Sequence, residues 1–172
     1  MQYPKISLSD AGLLGSSLIP TTFDPKVTVH ATYPTFGNVQ PGETYAVSET
    51  QDEPTVSFNV PAGQEAKYTV VLADPDAPSR EDPKMSPFLH FALADVVPGQ
   101  SAGITLTSYM GPAPPKGTGP HRYVFLVYAQ PVDHTPELGR DSDERPKFEV
   151  GKFAKANELD LVGATFYYAE NK

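Results

Sequence analysis

The chain has no cysteine and no tryptophan, and its 13 Lys and Arg are outnumbered by 21 Asp and Glu among 172 residues. Without thiols, disulfides and thiolate chemistry are excluded, which fits a reducing compartment. The formal net charge of −8 repels nucleic acid and anionic membrane surfaces, and the basic residues are scattered rather than gathered in a patch. No apolar run approaches membrane-spanning length, so no transmembrane segment is expected. The start, MQYPKISLSDAGLL, lacks the basic residues and apolar core of a signal peptide, and no Asn-x-Ser/Thr acceptor occurs. The expected location is cytoplasmic.

Proline and glycine, by contrast, are plentiful, at 19 and 13. They fall between apolar runs, which argues against long helices and for a loop-rich β architecture in a single domain spanning 1–172. Alternation at Val27, Val29, Ala31 and Tyr33 predicts a strand over 26–33, with His30 on the opposite, exposed face. Further strands are expected over 55–60, 67–73, 88–97, 104–110, 122–129 and 159–169, with Pro61-Ala62-Gly63 as a turn. The run 122–129 does not alternate, the pattern of a central strand covered on both faces. The stretches 35–54 and 131–146 read as polar loops, and His134 as a surface residue. In the N-terminal segment 1–25, Ser7 or Ser9 is expected to cap a short helix over 10–17; a second spans 148–157. The sum is a mostly β fold of two packed, largely antiparallel sheets with one or two short peripheral helices.

Two loops stand apart from this framework. The strand at Tyr68–Leu72 breaks at Asp74-Pro75-Asp76-Ala77-Pro78, and His90 follows inside an apolar run. A second loop, Gly111-Pro-Ala-Pro-Pro-Lys-Gly-Thr-Gly-Pro-His-Arg-Tyr123, also ends in a histidine entering a strand. Carboxylates and imidazoles delivered at strand ends by proline-stiffened segments have the composition of a site. An imidazole facing Asp74 is favoured in its protonated form, so His90 and His121 are expected to be partly cationic near neutral pH. The N–H groups of Gly111, Gly117 and Gly119 are expected to converge on an oxyanion, and Arg122 to pair with Asp76. Cis peptides are expected at Ala77–Pro78 and Ser86–Pro87.

These two loops, with the closing Ala164-Thr-Phe-Tyr-Tyr-Ala169, closely resemble the phosphatidylethanolamine-binding protein (PEBP) family. Tyr109-Met-Gly-Pro-Ala-Pro-Pro-Lys116 and Phe166-Tyr-Tyr-Ala-Glu170 are most similar to fungal members related to the carboxypeptidase Y inhibitor. The resemblance implies a PEBP-like β-sandwich with a small pocket for anionic groups such as phosphate, phospholipid head groups or carboxylates. It implies ligand contacts from Asp74, Asp76, Pro78, Phe88, His90, Gly111, Pro115, His121 and Tyr123. Phe88 stands where tryptophan is common, and the C-terminal helix of animal members has no counterpart up to Lys172, so a more open mouth is expected.

Three functions follow as expectations: a regulator that binds small anions or head groups, an inhibitor of a serine carboxypeptidase or a modulator of a signalling protein, and an enzyme. Catalysis would fall to Asp74, His90 and His121 as acid/base groups. Ser79 has no nucleophile elbow around it, and whole strands separate the two histidines, unlike the short ligand spacings of helical metal motifs. Binding rather than catalysis is expected, with no metal or other cofactor.

Overall fold

The computed structural model describes residues 3–61, 66–100 and 103–172, so the expected turn at Pro61-Ala62-Gly63 lies, from Ala62 onward, outside the described residues. Helix α1 (Tyr3–Asp10) comes first. Strands β1 (Val29–Tyr33), β2 (Gly37–Asn38), β3 (Thr44–Ala46), β4 (Thr55–Phe58), β5 (Lys67–Asp74), β6 (Phe88–Val96), β7 (Ile104–Thr107) and β8 (His121–Gln130) follow, then helix α2 (Val150–Ala156) and strand β9 (Asp160–Glu170). They form a three-stranded sheet, β2-β1-β4, and a six-stranded sheet, β3-β9-β8-β5-β6-β7. All pairings are antiparallel except β3 with β9.

The lack of alternation in 122–129 has the expected cause. Strand β8 lies between β9 and β5, and its two faces enter different apolar layers. Tyr123, Phe125 and Val127 pack between the sheets with Val29, Tyr33, Val70, Phe91 and Tyr167. Val124, Leu126 and Tyr128 pack on the far face beneath Leu8, Leu13, Ile19, Phe148 and Phe153. The large sheet is therefore covered twice, once by the small sheet and once by the N-terminal segment with α2. Each large apolar side chain so buried stabilises the fold by about 1.5–3 kcal/mol. The sheets meet tightly at Gly163, where an added Cβ would lie 2.6 Å from Val27 Cγ2 and 2.7 Å from Val29 Cγ2.

Three expectations need correction. The N-terminal helix spans Tyr3–Asp10 rather than 10–17, because Gly12 and Gly15 take φ of +70° and +84° and end any right-handed helix there. Ser7 does not cap it but lies inside it, its carbonyl accepting the Ala11 N–H. The stretch 35–54 holds β2, β3 and a short 3-10 turn, pieces too short to show a period. The segment 131–146 is mostly exposed, yet it buries Arg145 to 6 % exposure.

Candidate functional site

The site grows from the ends of β5, β6 and β8. In the antiparallel pair β5–β8, Ala73 faces Val124, so the strand ends bring Asp74 beside the start of β8. There His121 Nδ1–H donates to Asp74 Oδ2 at 2.9 Å, with both side chains almost wholly buried. The other carboxylate oxygen, Oδ1, accepts the Asp76 N–H at 2.7 Å, an Asx turn that closes the Asp-Pro-Asp corner. Both oxygens of Asp74 are thus committed within the protein.

His121 is held at its far edge too. Nε2 lies 3.0 Å from Thr118 Oγ1, whose hydroxyl is 2.8 Å from Pro115 O. One hydroxyl hydrogen serves only one acceptor. Either it goes to Pro115 O and Nε2–H donates to Oγ1, or it goes to Nε2 itself.

His90 reaches the same cavity by another device. Ala73 pairs with Leu89 and Leu72 with Phe91, so His90 is the extra residue of a bulge in β6. Its Nδ1–H donates to Met110 O at 2.7 Å, which leaves Nε2 as the ring nitrogen available to a guest. The expectation of a partly cationic His90 does not hold. Burial lowers its pKa below the usual 6.5, and Arg145 and His121 push the same way, against the Met110 carbonyl and Asp74. Tyr123 completes the floor, stacked on Tyr167 at 5.4 Å, its phenol kept protonated by burial and by the charges of Asp74 and Asp76.

Together these groups line a cavity of about 170 Å³ with Ala77, Pro78, Met85, Phe88, Met110, Ala113, Pro114 and Pro115. Asp74, Pro78, Phe88, His90, Pro115, His121 and Tyr123 are brought together; Asp76 and Gly111 are not among the lining. Asp76 turns away because Arg122 takes it: Nε and the backbone N–H bond Oδ2 at 2.9 and 2.8 Å, and Nη2 bonds Oδ1 at 2.6 Å. Gly111 instead packs on Gln51, whose Oε1 would be 2.7 Å from an added Cβ. The expected glycine nest is also not found, since Gly117 N–H donates to Asn171 O and neither Gly117 nor Gly119 lines the cavity. The bonds at Ala77–Pro78 and Ser86–Pro87 are both cis. Met85, Met110 and Thr118 were missed by sequence reasoning: methionine carries no site signal, and Thr118 is legible only through its spacing from His121.

A larger groove of about 490 Å³ runs between the N-terminal segment, α2 and β9. Two of its charged members, Lys26 and Asp160, pair with one another at 3.6 Å in solvent, so it offers no buried polar floor. Among the described residues no group of three ligating side chains has metal-binding geometry.

The fold is thus a two-sheet sandwich in which an aspartate and two histidines converge on one small pocket at the strand ends. The chain belongs to the phosphatidylethanolamine-binding protein family, whose profile matches residues 21–169. It is 33% identical to the carboxypeptidase Y inhibitor of Saccharomyces cerevisiae over 94% of this chain and 92% of that protein. A crystal structure of carboxypeptidase Y inhibitor complexed with its cognate proteinase superposes with a TM-score of 0.87 at 34% identity, covering 99% of this chain and 96% of the other. A phosphatidylethanolamine-binding protein from Plasmodium vivax shares the fold, with a TM-score of 0.82 at 22% identity over 97% of both chains. No helix is long and apolar enough to cross a membrane among the described residues.

Proposed function

We propose that this chain is a PEBP-type regulatory protein whose pocket binds one small anionic group: a phosphate, a phosphorylated head group or a carboxylate. The observation that carries this reading is the convergence of His121, held by Asp74, with His90 in a single cavity of about 170 Å³. His90 Nε2, an acceptor while the ring is neutral, takes a hydroxyl hydrogen of a protonated oxyacid such as phosphate monoanion, and the apolar wall strengthens that bond by excluding solvent. With Asp74 already doubly bonded, its charge is spent on His121 and the Asp76 N–H rather than aimed at a guest. Calorimetric titration with inorganic phosphate and with phosphoethanolamine tests this. Saturable binding that is lost in a folded His121→Ala variant is expected; no heat with either ligand, or equal binding by the variant, refutes it.

A second reading, inhibition of a serine carboxypeptidase, is supported by the likeness over nearly the whole chain to an inhibitor crystallised with its proteinase. Purified chain added to carboxypeptidase Y during hydrolysis of a blocked dipeptide is expected to lower the rate in a saturable way. A truncation used to probe the N-terminal segment must end before Leu8, because Leu8, Leu13, Leu18 and Ile19 are core residues. An unchanged rate at large excess of the chain would exclude this reading.

A further inference from the structure

A buried cation, met above through its effect on the His90 pKa, is bonded to the His90 carbonyl. Arg145 is 6 % exposed, and its guanidinium donates to Leu89 O at 3.2 Å, His90 O at 3.1 Å, Ser108 O at 3.0 Å and Ser108 Oγ at 3.3 Å. All four acceptors are uncharged. No carboxylate forms an ion pair with it among the described residues, whereas Arg122 is clasped by Asp76. A buried charge without a directly bonded counter-charge is costly to keep, and a role as a plain clip between strands would not require one; Asp143 favours the cation without pairing to it.

The acceptors show where the charge acts. Two are carbonyls of the β6 bulge that carries His90, and two belong to Ser108, two residues before the Met110 carbonyl that accepts His90 Nδ1–H. The chain around Arg145 is itself fixed to the same place: its carbonyl accepts the Leu89 N–H, and Lys147 and Phe148 N–H groups donate to Met85 O and Pro87 O. One side chain therefore spans both backbones that set the ring, and it is not among the residues that line the cavity.

We propose that Arg145 is a positioning residue of the pocket, locking His90 with Nε2 toward the guest and supplying the buried positive charge that an anion in the cavity balances. This rests on the anion reading given above. The titratable or charged groups around His90 are Asp74 from β5, His121 and Tyr123 from β8, and Arg145 from its own segment. Asp74 is already bonded to His121, and the one carboxylate whose charge favours the Arg145 cation among the described residues, Asp143, acts without a direct ion pair. Its presence also opposes protonation of His90, so Nε2 is an acceptor and meets the guest through a hydroxyl hydrogen that the guest carries, as in a protonated phosphate.

The test uses Arg145→Gln, which retains an amide donor for the carbonyls but removes the charge, and Arg145→Lys, which retains the charge without the planar fork. Each is read by NMR titration of the His90 ring and by calorimetry with inorganic phosphate, after a thermal melt confirms folding. In Arg145→Gln the His90 midpoint is expected to move up, and phosphate affinity to fall roughly tenfold, the order of effect of one unit charge near a partly dry site. In Arg145→Lys the midpoint stays near that of the parent protein and most of the affinity survives. If both variants melt early yet keep the parent midpoint and affinity, Arg145 is a clip and the proposal falls. If the parent itself ignores phosphate, the anion reading fails, while the His90 midpoints still report whether Arg145 acts through its charge.

Discussion

The two aspartates of the Asp-Pro-Asp corner stand two residues apart and serve opposite sides of the same strand ends. Asp74 faces the cavity and holds His121. Asp76 faces away and holds Arg122, whose Nη1 continues to Ala11 O at 2.8 Å and so ties down the N-terminal segment. Strand β8 repeats the division, with His121 and Tyr123 toward the cavity and Arg122 between them toward the buttress. The pocket side is built from imidazole hydrogen bonds, His121 to Asp74 and Thr118 and His90 to the Met110 carbonyl. The buttress side is a fixed fork between two full charges, strengthened by the Asp76 bonds that raise the Arg122 pKa further. Similar residues, read as one motif, thus divide into a part that lines the cavity and a part that keeps the frame still.

The comparison breaks most visibly at the buttress. Asp76→Ala leaves Arg122 largely buried without its partner, and loss of about 3–5 kcal/mol is expected in chemical denaturation. The N-terminal segment should loosen first, seen as faster amide exchange at Leu13 and Leu14, whose N–H groups both bond Leu8 O. Asp74→Asn should cost less, about 1–2 kcal/mol, because the amide keeps the shape and one acceptor. Its clearer mark would be on the pocket. An amide N–H aimed at His121 forces Nδ1 to accept, and nitrogen NMR of the ring should report that tautomer. If Asp74→Asn proved as destabilising as Asp76→Ala, the division of labour between the two aspartates would be lost.

Much of this was legible in the chain. Long apolar runs gave the strands of the large sheet, since the 122–129 pattern has only one physical reading once both its faces are buried. The proline-bounded loops marked which residues meet around the cavity, and the Arg122–Asp76 pair followed from a guanidinium and a carboxylate at one corner. What stayed hidden was non-local. The strands at 37–38 and 44–46 exist because β1 and β9 offer them free edges, not because of their own sequence. The position of His90 depends on a bulge, and its charge state depends on burial and on Arg145, 55 residues further along the chain. No spacing rule places a buried arginine inside a stretch that is otherwise acidic and exposed.

The smallest expected effect is the one that separates the two histidines by pH. Burial leaves the folded-state pKa of His90 below the 6.5 of an unrestrained ring. The unfolded chain therefore binds a proton that the native protein resists, and stability rises with pH across this window. On acidification from neutrality the loss should begin near pH 6.5 and continue down to the lowered native value. Asp95 does not interfere: although burial raises its pKa, hydrogen bonds from Thr135 and Gln130 and the charge of Lys67 outweigh that, so its contribution is lost only below about 4, where its unfolded counterpart titrates. Denaturation midpoints measured between pH 7 and 5 should accordingly fall in the parent protein, and fall less in His90→Gln, which has no ring to protonate. An equal slope in both would mean that another group, not the bulge histidine, sets the acid response, and the contrast between a neutral His90 and a carboxylate-held His121 would have to be redrawn.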